Sequence, residues 1–314
     1  MFVRGICFPR LIDRFRFFCD FCASVTDKAV TDKGESLWLD ARRRLFQNRA
    51  AVFGLAVTCA LVVLAILTPF IAPYDYDAQD LSLGASAPSV EHWFGTDSLG
   101  RDLLTRILYG SRISFLVGFL ATLVSMGIGV TYGAVSGYLG RRWDALMMRL
   151  VDILYSLPFI FFVIILMVYF GRSLVNLFIA LGCVQWLTMS RIVRGQVLTL
   201  KRKEFVEAAV AVGVGTPGIV FRHLVPNVMG PILVYATLTV PAVMLEEAFI
   251  SFLGLGVQPP MCSWGLLMAE GVKHLELEPW LILFPGFFLS LTLFSMNFLG
   301  DGLRDALDPK YRAD

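Results

Sequence analysis

"KRKEFVEAAVAVGVGTPGIVFRHLVPN", residues 201–227, is a charged, glycine-broken passage set between two long apolar stretches. Its first part, to about Val212, consists largely of good helix formers. Gly213 and Gly215 end that helix, because glycine takes left-handed backbone angles cheaply. Thr216 is an N-cap type, and Pro217 takes the first helical position, where a missing N–H costs nothing. A short helix follows to about Leu224, and Pro226 with Asn227 marks the return to apolar sequence. Two helices meeting at a glycine turn, with Ala208 and Ala209 keeping a low profile, suit close docking by another protein. The same pattern also describes a plain helical hairpin with no partner.

The surroundings of this passage decide where it sits. The 314 residues are 57% hydrophobic and 17% charged, with a mean hydropathy of +0.70. A soluble domain carries roughly 25% charged residues, so the chain reads as an integral membrane protein. A formal net charge of +2 says little about partners, and no nucleic-acid partner is expected; the useful information lies in where the charges fall. A bilayer core needs about 20 apolar residues in a helix, and six segments meet that need. They lie near 51–71, 113–137, 153–171, 173–190, 226–252 and 280–300. Pro158, Pro231, Pro241 and Pro285 fall within them and are tolerable where neighbouring helices satisfy the freed carbonyls. The expected fold is all-α and polytopic.

Lysine and arginine set the orientation. Arg42, Arg43, Arg44 and Arg49 precede the first span, and Arg141, Arg142 and Arg149 separate the second and third. Six basic residues from Arg191 to Arg222 separate the fourth and fifth, and Arg304, Lys310 and Arg312 follow the sixth. The alternate loops are poorer, with Arg172 in one, Lys273 in another, and in the first, about 72–111, Arg101 and Arg106 against Asp75, Asp77, Asp80, Glu91, Asp97 and Asp102. Both termini and residues 201–227 are therefore expected on the cytoplasmic side.

Glu207-Ala208-Ala209, Gly213 four residues beyond Ala209, and the later "HLVPN" together resemble the EAA loop of permease subunits in ABC importers. The likeness extends to "ARRRLFQNRAAV" (41–52), "HWFGTDSLGRDLLTRILYGSRIS" (92–114), "SGYLGRRWDALMMRLVDILYSLP" (136–158), "SFLGLGVQPP" (251–260) and "NFLGDGLRDALDP" (297–309). It covers about residues 36–313. "SLWLDARRR", "LKRKEF" and "EEAFISFLGLG" make the chain most similar to the C-type subunits of oligopeptide permeases, rather than to the dipeptide, glutathione or nickel relatives; the nearer alternative is the same machine carrying dipeptides, glutathione, nickel or antimicrobial peptides.

This resemblance implies the type I importer permease fold, with residues 37–314 as the permease domain of a bacterial cytoplasmic (inner) membrane protein. It implies a homologous second permease subunit, two ABC ATPase subunits and an extracytoplasmic peptide-binding protein as partners, besides membrane lipid. In such importers the short helix after the EAA glycine docks on an ATPase subunit. Carried onto this chain, the coupling loop comprises Glu207, Ala208, Ala209, Gly213, Gly215, Thr216, Pro217, Arg222, His223 and Pro226. The chain itself is expected to be no enzyme and to bind no cofactor, with ATP and Mg used by the partner subunits. Consistent with that division, no Gly-Lys dipeptide occurs, so no G-x-x-x-x-G-K-[ST] phosphate loop can be present.

Other residues invite readings of their own. Glu246 and Glu247 are carboxylates inside an apolar span, where charge is costly; they either line the translocation path or make interhelical hydrogen bonds. The first alternative to an ATP-driven machine, an ion-coupled secondary transporter, would use them as proton sites. An intramembrane enzyme would need a nucleophile and base that the spans do not offer. "GTDSLGRD" (95–102) is either an outer docking surface or a self-locked brace, and the capping types Thr96 and Asp97 favour the brace. Asp152 is expected to pair with Arg149 or a partner. Gly127, Gly129, Gly133 and Gly137 allow close helix approach, either within the chain or against the second permease. Residues 1–36 read as an interfacial amphipathic helix or a disordered extension. The six cysteines are scattered and form no disulfide framework, and His92, His223 and His274 suggest no metal site.

Overall fold

The computed structural model describes residues 37–307. The N-terminal extension, with Cys7, Cys19 and Cys22, and the basic Lys310 and Arg312 lie outside the described residues. Among the described residues there is no strand, only a single β-bridge between Thr96 and Asp102. The helices are α1 (Leu37–Gln47), α2 (Arg49–Ile71), α3 (Leu103–Leu139), α4 (Arg141–Ser156), α5 (Phe159–Phe170), α6 (Leu174–Leu200) and α7 (Glu204–Ala211). Three contiguous short pieces, Thr216–Gly218, Ile219–Leu224 and Val225–Asn227, form the rod α8. Then come α9 (Met229–Phe252), α10 (Trp264–Val272) and α11 (Trp280–Leu307).

Five of these, α2, α3, α6, α9 and α11, are long and apolar enough to cross a membrane. Segment 153–171, expected as one continuous span, is divided instead. Helices α4 and α5 meet at an 85° bend. Leu157 there is extended, with φ −78° and ψ 132°. Pro158 favours a departure from the helix at this point: it cannot donate to the helical ladder, and it disfavours the helical region for the residue before it. At 12 residues, α5 is about 18 Å long, well short of the roughly 30 Å hydrocarbon core. The sixth crossing therefore exists only as the bent pair. Helix α3 errs the other way, running 37 residues, or about 55 Å.

Local chemistry starts and stops the helices. Asn48 caps α2 through its side-chain oxygen, which accepts from the amides of Ala50 at 3.1 Å and Ala51 at 3.3 Å. Asp102 caps α3 by accepting from the Thr105 amide at 2.8 Å. At the other end of α3, the Lys201 ammonium donates to the Gly137 carbonyl at 2.7 Å, satisfying one of the orphaned carbonyls of that terminus.

The central packing unit is α3 against α6. A Cβ at Gly129 would stand 2.6 Å from Met189 Cβ, and one at Gly137 would stand 3.0 Å from the Arg194 carbonyl oxygen. At Gly133 it would collide with the Ser190 carbonyl oxygen. Three of the four glycines of the ridge thus serve packing within the chain. Gly127 differs, with nothing within 4 Å of an added Cβ. Helices α2 and α11 cross at Gly54 and Gly302 in the same manner, against Ser295 and Ala51. Close backbone approach is how membrane helices gain packing where lipid is as apolar as they are.

Candidate functional site

The passage from Glu204 to Asn227 forms an elbow, and its turn is built as the glycine pattern predicts. Gly213 has φ +86°. Its amide donates to the Val210 carbonyl at 2.9 Å, and the Val214 amide donates to the Ala209 carbonyl at 3.0 Å. These two bonds make a Schellman motif, which closes a helix end when the residue after the cap is left-handed. Gly215 plays another part than expected. With φ −68° it is extended, and it is the N-cap of α8. Thr216 and Pro217 accordingly occupy the first two helical positions, one residue earlier than the expected cap at Thr216, and no side chain caps this helix. The rod widens to π geometry over Ile219–Leu224, immediately ahead of Pro226, which has no N–H to continue an α-helical ladder.

The elbow has a bolted face and an open face. Val206, Ile219, Val220, Leu224, Val228 and Ile232 are buried together with Ala134 of α3 and Met189, Val193 and Val197 of α6. Ala209 is also buried, so only Ala208 of the alanine pair presents the expected low profile. Glu207, Gly213, Gly215, Thr216, Pro217, Arg222 and Pro226 are exposed, and His223 is half-buried. Val212 is 84% exposed, and Val210 and Phe221 are exposed too. The elbow therefore exposes apolar side chains together with the Glu207 carboxylate and the Arg222 guanidinium, and it is backed by close-packed side chains that pass displacement on with little give.

A second anchored region holds α4 against this same end of the bundle. The Asp144 carboxylate accepts from Arg194 Nη2 at 2.7 Å and from the Ser136 hydroxyl at 2.7 Å. Asp152 pairs with Arg191 of α6 at 2.8 Å, a partner 39 residues away rather than the neighbouring Arg149.

At the opposite end, "GTDSLGRD" is a brace. The Asp97 carboxylate accepts from the amides of Leu99 at 2.9 Å and Arg101 at 3.0 Å, and from Arg101 Nε at 2.7 Å. It also pairs with Arg106, which is 2% exposed and bonds Glu270 of α10 at 2.8 Å. This partly buried cluster locks the loop, the start of α3 and α10 together. Removing one partner of a buried pair leaves charge without compensation, at a cost of about 3–5 kcal/mol. Asp97→Ala is therefore expected to destabilise the subunit by about that amount, read as lowered thermal stability in detergent.

The two intramembrane carboxylates occupy different surroundings. Glu247 is 1% exposed. Its carboxylate accepts from the hydroxyls of Ser251 at 2.6 Å and Ser263 at 2.7 Å, tying the end of α9 to the start of α10. Glu246 accepts from the Gln185 amide of α6 at 2.7 Å and borders a cavity that Glu247 does not line. Gln185 is absent from the expected site residues; the signal it offers is an amide in a stretch, 173–190, that has no charged residue. Glu270 and Arg194 carried no local signal, because their partners lie 164 and 50 residues away.

Residues 129–313 match the family described as "Binding-protein-dependent transport system inner membrane component", and residues 36–88 match the "N-terminal TM domain of oligopeptide transport permease C". An oligopeptide transport system permease protein OppC of Haemophilus influenzae is 50% identical over 297 residues, covering 93% of this chain and 96% of its own length. The OppC protein of Escherichia coli is 55% identical over 282 residues, 89% of this chain and 93% of that one. A dipeptide transport system permease protein DppC of Bacillus subtilis is 48% identical over 274 residues, 87% and 86% of the two chains. Among solved structures, a chain of the MetNI methionine ABC transporter in inward-facing conformations superposes with a TM-score of 0.50 at 18% identity. That superposition covers 66% of this chain and 96% of the other, and it supports the fold alone. The chain belongs to the family of binding-protein-dependent inner-membrane permease components of ABC importers.

Proposed function

We propose that this chain is the C-type membrane subunit of an importer that moves oligopeptides across the bacterial cytoplasmic membrane at the expense of ATP hydrolysed elsewhere. The observation that carries this reading is the identity of 50–55% with OppC permeases over about nine-tenths of the chain. The working partners are a homologous second permease, two ABC ATPase subunits that use ATP and Mg, and an extracytoplasmic peptide-binding protein. Both termini and the elbow face the cytoplasm in this reading, which the distribution of Lys and Arg supports.

The mechanism follows from the two faces of the elbow. An ATPase subunit grips the exposed tip around Val212, Glu207 and Arg222. When the ATPase pair closes, α8 moves with it, and the cluster of Val220, Leu224, Val193 and Val197 drags α3 and α6. Packed interiors switch between discrete arrangements rather than deform smoothly, so the bundle rocks between inward-open and outward-open states. No bond is made or broken on this chain.

Proteoliposomes holding the four membrane and ATPase subunits, supplied with loaded binding protein, are expected to take up short peptides only with ATP. Omitting this chain abolishes uptake. Peptide uptake driven by an ion gradient in vesicles holding this chain alone overturns the reading in favour of a secondary transporter. The 48% identity to a DppC protein sets the second arm: transport confined to dipeptides keeps the machine and changes its cargo.

A further inference from the structure

The break between α4 and α5 opens a cavity of about 320 Å³, walled by Tyr155, Phe159, Phe162 and Leu187. Within these apolar walls stand Gln185, Thr188 and one carboxylate, Glu246. Oε1 of Glu246 accepts the Gln185 amide at 2.7 Å, whereas Oε2 is buried with no hydrogen-bond partner among the described residues. The basic side chain nearest in sequence on α6, Arg191, is held by groups other than Glu246. It pairs with Asp152 at 2.8 Å and lies over the Tyr155 ring at 4.4 Å.

An acceptor of this kind in an apolar wall is costly unless something fills it. The group that complements it is a protonated primary amine, which brings compact positive charge and three N–H donors together. Phe159 and Phe162 also line the cavity, and aromatic rings attract a cation. A volume near 300 Å³ is at the small end of ligand pockets, suited to one end of a peptide rather than its whole length. We infer that this cavity is a subsite for the ammonium group of the transported peptide, with the Glu246 carboxylate as its acceptor and Gln185 holding that carboxylate in place. This rests on the peptide-import reading. The amine comes from the amino terminus or from a lysine side chain, and the two sources are separable by experiment.

Cys183 lines the same cavity and reports its occupancy, with the peptide-free transporter as the reference. In the assembled transporter, maleimide alkylation of Cys183 is followed by mass spectrometry with three tripeptides. One has a free amino terminus and no lysine, one is N-acetylated without lysine, and one is N-acetylated with lysine. The expected result is at least fivefold slower labelling of Cys183 with a peptide bearing an amine, and no slowing with the lysine-free acetylated peptide. The arm that protects identifies the source. Glu246→Gln, close in shape, is expected to remove the protection while Cys183 still labels. Equal protection by the lysine-free acetylated peptide, protection retained in Glu246→Gln, or no protection by any peptide overturns the inference. ATP-driven uptake measured in the same preparation separates this from the reading beneath it: uptake without protection sinks the subsite alone.

Discussion

Gly133→Leu is expected to leave no folded subunit in the membrane, whereas Gly127→Leu on the same helix leaves the subunit's fold intact. The two positions differ only in what faces them. An added Cβ at Gly133 collides with the Ser190 carbonyl oxygen and lies 3.0 Å from the Ser190 Cα and carbonyl carbon, while at Gly127 it meets nothing within 4 Å. Overpacking a core costs about 1–3 kcal/mol where side chains can yield. Here the obstacle is the backbone of α6, so α3 and α6 must separate. Their separation also removes the wall of Ala134, Met189, Val193 and Val197 on which the elbow rests. Membrane fractions analysed by size exclusion in mild detergent check this. Equal monodisperse yields of the two variants would contradict the α3–α6 crossing.

Gly213→Val is expected to insert and fold, yet to lose at least tenfold in ATP-driven uptake while ATP hydrolysis by the assembled complex continues. An added Cβ at Gly213 meets nothing within 4 Å, so crowding is not the cause. The cause is φ +86°, which a β-branched residue reaches only with backbone strain of about 1–2 kcal/mol. Relief of that strain breaks the bonds from the amides of Gly213 and Val214 to Val210 and Ala209 and re-aims α8. Asn visits left-handed angles more readily, so Gly213→Asn is expected to keep most of the uptake. A strain mechanism requires that order, Asn above Val; equal loss in both variants would point to a direct contact at the glycine instead.

Much of this architecture is legible in the residues themselves, for definite reasons. Apolar length finds membrane helices because lipid leaves the backbone no other way to satisfy its polar groups, and the left-handed requirement at Gly213 leaves few residues to choose from. What stays hidden is tertiary. Capping preference favours Thr216, but the extended residue is Gly215, because the Schellman turn sets where the next helix starts. Pro158 is compatible with a kink or with a break, and only the packing of α4 onto α6 through Asp144 and Asp152 selects the break. Helix α10 has 9 residues, too few for a span, and its place is set by the distant bonds of Trp264 to Ile107 and Ser114. The carboxylate pair shows the same limit. Glu246 and Glu247 are adjacent in sequence, yet a helix turns about 100° per residue, so one meets two serines and the other a cavity.

The account depends on the elbow facing the cytosol and being gripped there by another protein. A thiol placed at Val212, the most exposed apolar side chain of the turn, tests both halves in one measurement. A membrane-impermeant maleimide is expected to label Val212→Cys in inverted vesicles and not in right-side-out ones, and binding of the ATPase subunits is expected to shield it. Labelling from the outer face, or labelling indifferent to the ATPase subunits, would contradict the account.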